Sequence, residues 1–350
     1  MSPTAMLLAS ALATGGVAPV ADPVQGVPAR IDALMAAYAG DVPGASVLVV
    51  HHGEPVVRRA YGLADVDHAI AATPATNYRL ASVTKQFTAA AILLLAEDGR
   101  LSLDDPLSRW LPSLPPRPGA ATLHQVLTHT SGLVDYEDFV PATAPTQVRD
   151  ADVLRLLEPH DRTLFPPGSA YRYSNSGYAL LALVVAKASG RSFPAYLREN
   201  IFLPLGMEAS LARVDEGPAV PHRAYGHSFV DGAWRRTDQS PTSAVLGDGG
   251  VYSSIDDLAK WDAALYDDRL LSADSRRLAF TPQTPTDDPL VRYGYGWRIT
   301  GATRWHSGES IGFRNVIVRW PERRLTVVVL TNRDAPEPYG LALEIGALFP

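Results

Sequence analysis

The chain has 350 residues, 46% of them hydrophobic and 19% charged, enough to bury one large core or two moderate ones without metals or crosslinks. Its net charge of −6 is spread along the sequence instead of gathered into a basic face, which argues against nucleic acid as a partner. The absence of cysteine excludes disulfides, thiolate nucleophiles and cysteine-ligated zinc, so any nucleophile must be oxygen or nitrogen.

The first residues pose a targeting question. Met6 to Ala13 is a short apolar run in which Ala11-Leu12-Ala13 resembles a cleavage site, although no Lys or Arg precedes Arg30. Residues 1–25 therefore read as a leader or signal-like segment and the protein as exported, periplasmic or secreted, with a cytoplasmic location as the alternative. The run is too short to span a bilayer, and no other stretch approaches the roughly 20 apolar residues a transmembrane helix needs.

From Arg30 to Ala39 the apolar spacing predicts a helix. Ala45 to Val50 and Val56 to Tyr61, separated by His51-His52-Gly53-Glu54, predict a β-hairpin. Ser82 to Asp98 is a long run of Ala, Leu, Ile and Phe closed by Gly99, the pattern of a mostly buried helix. Helical stretches follow at Thr122 to Leu127, Val148 to Leu157, Ser176 to Ser189, Phe193 to Ile201 and Ile255 to Leu265, separated by Pro-rich and Gly-rich loops. Asp231-Gly232 marks a surface hairpin among them. After Pro289 the pattern turns to strands at Tyr293 to Thr300, Phe313 to Trp320 and Leu325 to Thr331, and a final helix runs from Glu337 to Leu348. Short turns between consecutive strands require antiparallel pairing. The expected class is α+β, with an antiparallel sheet flanked by helices and a mainly helical region inserted between N- and C-terminal strands. The implied division is a sheet domain of residues 26–98 and 280–350 and a helical domain of 99–279, with the active site between them.

Three constellations carry chemistry. Lysine is scarce, only Lys85, Lys187 and Lys260 against 28 arginines, so the lysine of Ser82-Val83-Thr84-Lys85 is informative. It places an amine within reach of a hydroxyl at a helix start, inside the apolar stretch Gln86 to Leu95, where a charge needs a reason. A serine hydroxyl becomes a nucleophile when a neighbouring base takes its proton, and a lysine can do so once burial or another cation favours its neutral form. Tyr173-Ser174-Asn175 enters the helix from Ser176, where Tyr173 could act as base or proton relay and Asn175 could bind a substrate amide or carbonyl. His306-Ser307-Gly308 lies between one predicted strand and the next; its glycine permits close backbone approach, and the following residue could offer its N–H to an oxyanion.

In this order, the three motifs resemble the set of the class C β-lactamase and penicillin-binding superfamily. Thr128-His129-Thr130-Ser131-Gly132-Leu133, Gly247-Asp248-Gly249-Gly250 and Tyr293-Gly294-Tyr295-Gly296-Trp297 resemble stretches of its β-lactamase-like esterases and D-alanyl-D-alanine carboxypeptidases, and the resemblance covers roughly residues 30–345. It implies Ser82 as nucleophile, Lys85 and Tyr173 as general base and acid, and Asn175, His306, Ser307 and Gly308 as substrate-binding. It also implies an oxyanion hole from the N–H groups of Ser82 and Glu309, no cofactor and no metal. The implied activity is hydrolysis of small esters, amides or peptides through an acyl-enzyme. An esterase is expected first, a D-alanyl-D-alanine carboxypeptidase, penicillin-binding protein or weak β-lactamase second.

The sequence departs from the β-lactamase pattern where Lys-Thr-Gly is usual. A histidine at 306 is only partly cationic at neutral pH, so it would hold a substrate carboxylate less firmly, and Glu309 beside it would repel one. Three other readings compete. Gly308-Glu309-Ser310-Ile311-Gly312 matches the nucleophile elbow, but a strand follows it and all nine histidines precede Ser310. His124 and His129 could begin a metal site, yet a spacing of five puts them on diverging helix faces. A non-catalytic binding module on the same fold is the third. His51-His52 and His222 to His227 read as turn and loop residues, and Asp256-Asp257 as charges at a helix N-terminus. Oligomeric state is not encoded in any pattern found.

Overall fold

The computed structural model describes residues 26–215 and 217–349, so the leader expected over 1–25 lies outside the described residues. Helix α1 (Val27–Leu34) and a 3-10 turn at Ala36–Tyr38 begin earlier than the helix expected from Arg30, because Pro28 fits a first turn, where its missing N–H costs nothing. Strands β1 (Ala45–His51) and β2 (Glu54–Tyr61) form the expected hairpin. Its pairing continues to His51 opposite Glu54, leaving a two-residue turn at His52-Gly53 with both φ angles positive, 54° and 87°.

The C-terminal half supplies β3 (Thr284–Pro285), β4 (Arg292–Tyr293), β5 (Arg298–Thr300), β6 (Thr303–Ser310), β7 (Phe313–Trp320) and β8 (Leu325–Thr331). The strand expected over Tyr293 to Thr300 is two strands. Gly294 donates its N–H to the Trp297 carbonyl and Gly296 takes a φ of 74°, which turns the chain between them. The eight strands pair antiparallel in the order β3-β4-β5-β6-β7-β8-β1-β2. Because β8 pairs with β1 from Ala45 opposite Thr331 to His51 opposite Leu325, the two ends of the chain share one sheet and everything between β2 and β3 is an insertion into it.

Alternation along the central strands sorts side chains into two cores. Val47, Val49, Val316, Val327 and Val329 pack with Val27 and Ile31 of α1 and with Ala342 and Ile345 of the C-terminal helix α5 (Tyr339–Gly346). Leu48, Ile317, Val328 and Leu330 face the larger core, which contains α2 (Lys85–Glu97), α3 (Asn175–Ser189) and α4 (Ile255–Ala264). Strands covered on both faces explain the nearly unbroken apolar runs of β1 and β8. No helix among the described residues is long and apolar enough to cross a membrane.

Candidate active site

Ser82 and Lys85 meet because the chain makes one 3-10 turn, Ala81–Thr84, between the short strand Tyr78–Arg79 and α2, whose first residue is Lys85. Ala81 holds a φ of 49°, a left-handed conformation costly for a residue with a Cβ, immediately before Ser82. One turn brings Lys85 Nζ to 3.0 Å from Ser82 Oγ. The amine is fully buried and also donates to Asn175 Oδ1 at 2.9 Å and to the backbone carbonyl of Asp248 at 2.8 Å. That carbonyl belongs to Gly247-Asp248-Gly249-Gly250. The loop is held from behind by Asp150, whose buried carboxylate accepts N–H donors from Leu246 and Gly247.

Asn175 is the first residue of α3, capped by Ser174, whose Oγ accepts the Gly177 N–H. Its amide is fixed from both ends, since Oδ1 accepts from Lys85 and Nδ2 donates to Glu137 Oε1 at 3.0 Å. Tyr173 lies with the Lys85 amine 4.8 Å and the Arg298 guanidinium 5.4 Å from its ring centre. Beneath it is His129, its ring centre 4.3 Å from that of Tyr173 and its Nδ1 accepting the Ser174 N–H. Burial, aided by the Lys85 charge, holds His129 well below the usual histidine range, so it is a neutral support for the Tyr-Ser-Asn turn.

His306-Ser307-Gly308, expected between one strand and the next, lies inside a strand of its own, β6, paired with β7. Four of its residues, His-Ser-Gly-Glu, carry no apolar alternation, which is why the strand was not legible. Beyond Trp305 the far edge of β6 has no partner in β5, and this open half packs on the Ala81–Thr84 turn. A Cβ built on Gly308 would lie 2.0 Å from the Leu80 carbonyl and 3.3 Å from the Ser82 nitrogen, so only glycine allows this approach.

The expectation that His306 is partly cationic is corrected. It is 1% exposed, with Nδ1 2.6 Å from the Ser307 carbonyl and Nε2 2.9 Å from the Tyr293 hydroxyl. A carbonyl only accepts, so Nδ1 carries the proton and Nε2 accepts from Tyr293. Burial first, then the charges of Arg298 and Lys85, press its pKa well below 6.5 and leave it neutral. Glu309 is 69% exposed in its side chain and ion-paired with Arg314 at 2.8 Å.

In front of Ser82 opens a cavity of about 250 Å³, lined from the sheet side by Arg79, Ser82 and Glu309 and from the helical side by Tyr136, Asn175 and Ser243. Asp248 also lines it, its carboxylate accepting the Tyr136 hydroxyl at 3.2 Å. Arg79, Tyr136 and Glu137 were not singled out from sequence. A signal existed for Arg79, a charge inside the otherwise apolar stretch Tyr78 to Ala81 just before Ser82.

Burial pushes the Asp150 carboxyl up to about 7, with the Asp248 charge adding to the rise. A raised carboxyl contributes stability that is complete below its unfolded value, near 3.8, and is lost as pH rises through the folded one. Asp150→Asn keeps the acceptor and removes the buried charge. The melting temperature of Asp150→Asn relative to wild type should therefore rise between pH 4 and pH 8 by roughly 6 °C, the size expected for about 4 kcal/mol of linkage in a chain of this length. A difference that stays flat with pH would contradict the assignment.

The competing constellations go elsewhere. Ser310 ends β6 and pairs with Phe313 across the Ile311-Gly312 turn, so it stands in a strand hairpin, whereas an elbow would lead into a helix. His124 Nδ1 bonds the Tyr295 hydroxyl at 2.6 Å, and no group of three or more metal-ligating side chains occurs among the described residues. Asp256 pairs with Arg58, and Asp257 bonds Ser210 and Lys260.

An antiparallel sheet interrupted by a helical layer, with a buried lysine on a serine where the two meet, is the architecture of serine hydrolases that work through an acyl-enzyme. The chain belongs to the beta-lactamase family, whose model matches residues 27–348. It is 31% identical over 319 residues to a penicillin-binding protein of Bacillus subtilis, a match covering 85% of this chain and 70% of that one. Among solved structures it superposes on a penicillin-binding protein from Bacillus halodurans with a TM-score of 0.80 at 30% identity, covering 91% of this chain and 99% of the other. The D-amino acid amidase of Ochrobactrum anthropi gives a TM-score of 0.78 at 25% identity, with 92% and 96% covered.

Proposed function

We propose that the chain hydrolyses small esters and amides through an acyl-enzyme on Ser82. The observation that carries this reading is the buried Lys85 amine 3.0 Å from Ser82 Oγ, with its other two contacts fixed carbonyl oxygens. A neutral amine has two N–H donors and one lone pair. In its neutral form the amine gives both donors to Asn175 Oδ1 and Asp248 O, so that its lone pair faces Ser82 and can accept the hydroxyl proton.

In the reaction, Ser82 Oγ bonds to the substrate carbonyl carbon as its proton passes to Lys85. The oxyanion is met by the N–H groups of Ser82 and Glu309, one from the helix-entry turn and one from the open edge of β6. The bond to the leaving group then breaks as a proton reaches it through Tyr173, and water attacks the acyl carbon by the reverse path. Asn175 orients the scissile carbonyl, and His306 and Gly308 hold the strand edge against the serine turn. The apolar run Met6 to Ala13 supports a place outside the cytoplasm for this activity.

Intact-mass spectrometry on wild type quenched during turnover of p-nitrophenyl butyrate tests the reading. A mass gain of one butyryl group, located on the peptide containing Ser82, is expected. An adduct on Ser310, or turnover without any adduct even after rapid acid quench, would overturn it.

A further inference from the structure

Apart from Ser82, the Lys85 amine is held by two neutral carbonyl oxygens, Asn175 Oδ1 at 2.9 Å and Asp248 O at 2.8 Å. Each is fixed from behind by a carboxylate. Glu137 accepts from Asn175 Nδ2, and Asp150 accepts the backbone N–H groups just ahead of Asp248, those of Leu246 at 3.1 Å and Gly247 at 3.0 Å. Asp150 is 7% exposed and opens the helix Asp150–Leu157, but the backbone N–H at that helix start, from Arg149, goes to Asp152 instead. A buried carboxylate is costly, so its grip on the loop needs a purpose that the helix does not supply. The loop is pressed between two helices. Thr88 of α2 donates to the Gly247 carbonyl at 2.7 Å, and a Cβ built on Gly247 would lie 2.2 Å from the Tyr178 carbonyl oxygen of α3. Thr84 accepts the Val251 N–H at 3.1 Å just beyond. The atom that this clamp places against the reaction centre is the Asp248 carbonyl oxygen.

We propose that Asp150 is a positioning residue for the Lys85 base: its carboxylate holds the Leu246-Gly247 backbone so that the Asp248 carbonyl draws one N–H of the neutral amine away from Ser82. This rests on the reading of Lys85 as the acceptor of the Ser82 proton. With both carbonyls in place the lone pair faces Ser82. If the Asp248 carbonyl drifts, a freed N–H can turn to Ser82 Oγ and the lone pair turns away. The loss then falls on proton transfer and spares substrate binding, because Asp150 does not line the Ser82 cavity and reaches Lys85 only through the loop.

The test is steady-state hydrolysis of p-nitrophenyl butyrate, run well below the melting temperature of each variant so that folded protein is compared with folded protein. Asp150→Ala should lower kcat about 10- to 100-fold with KM changed less than about threefold, the size expected when a catalytic group is displaced by about 1 Å. Asp150→Asn, whose Oδ1 can still accept both N–H groups, should recover most of that loss. In a Lys85→Met background, Asp150→Ala should change the residual kcat by less than about threefold, because the amine it positions is gone. A purely structural role would lower the melting temperature and leave kcat alone, or would remove the same factor from Lys85→Met as from wild type. Either result overturns the proposal, as does an equal loss in Asp150→Asn. Should Asp150→Ala fail to fold, Asp150→Ser, which keeps a polar group but loses the forked carboxylate, should lower kcat by at least about threefold at unchanged KM, and a wild-type kcat refutes the proposal. Failure of the underlying reading shows separately: Lys85→Met then stays active, whereas failure of the proposal alone leaves Lys85→Met inactive and Asp150→Ala unimpaired.

Discussion

Lys85→Met should lower kcat/KM for p-nitrophenyl butyrate by about 10³-fold or more, with Ser82→Ala at least as severe and the double variant no worse than the worse single one. Methionine matches the lysine stem in length and suits the buried site, so what is lost is the amine alone. Without it Ser82 has no proton acceptor within hydrogen-bond distance, and the Asn175 and Asp248 oxygens lose a shared donor. The two unsatisfied acceptors cost about 2–6 kcal/mol together, within the stability of a folded domain, so far-ultraviolet circular dichroism should be unchanged. The lack of additivity separates a base from a structural lysine: if Lys85 acts only through Ser82, removing it from Ser82→Ala changes nothing further. Retention of a tenth of wild-type activity in Lys85→Met would refute the assignment of Lys85 as the base.

What the sequence made legible follows from how locally each feature is determined. Ser82 and Lys85 are one turn apart, so their meeting needs only the helix that the Ala, Leu and Ile run from Ala89 to Leu95 announces. The hairpin of β1 and β2 was legible for the same reason, since alternation and the His52-Gly53 turn are contained in about 17 residues. Tyr173 and Asn175 were legible as a motif but not as a geometry. Their positions depend on His129 and Glu137, which arrive from a different part of the chain. β6 was missed because its apolar partners lie on β7 and in the Ala81–Thr84 turn, leaving the strand itself free to carry His, Ser, Gly and Glu. The charge of His306 was misjudged because a sequence gives a residue its reference pKa, and only the fold puts Arg298, Lys85 and the Tyr293 hydroxyl around it. Arg79 escaped notice because its place at the cavity wall depends on Tyr136 and Asp248, which arrive from distant parts of the chain.

The second large effect is expected at Gly308. Gly308→Ala should reduce kcat/KM by about 10²-fold while the protein still folds, with a loss of about 1–3 kcal/mol in stability from overpacking. The added methyl would lie 2.0 Å from the Leu80 carbonyl oxygen, and that atom is backbone, so no side-chain rotation can relieve the contact. β6 cannot retreat freely either. Gly308 is opposite Asn315, which donates to the Arg79 carbonyl at 2.8 Å and accepts the Thr331 N–H at 3.2 Å, so β6, β7, β8 and the strand before Ser82 are tied through one side chain. The relief available is to move the Leu80–Ser82 backbone away from β6 by about 1 Å, and that widens the gap between the two N–H groups proposed to bind the oxyanion. The burden should fall on kcat more than on KM, because the displaced donors act on charge that develops in the transition state. Gly340→Ala is the matched control: a Cβ there meets nothing within 4 Å, at the start of α5 and away from the cavity, so activity should be unchanged and stability equal or slightly higher. If Gly308→Ala stays within threefold of wild type, the approach of β6 to the serine turn is packing, and the second oxyanion donor must be sought elsewhere.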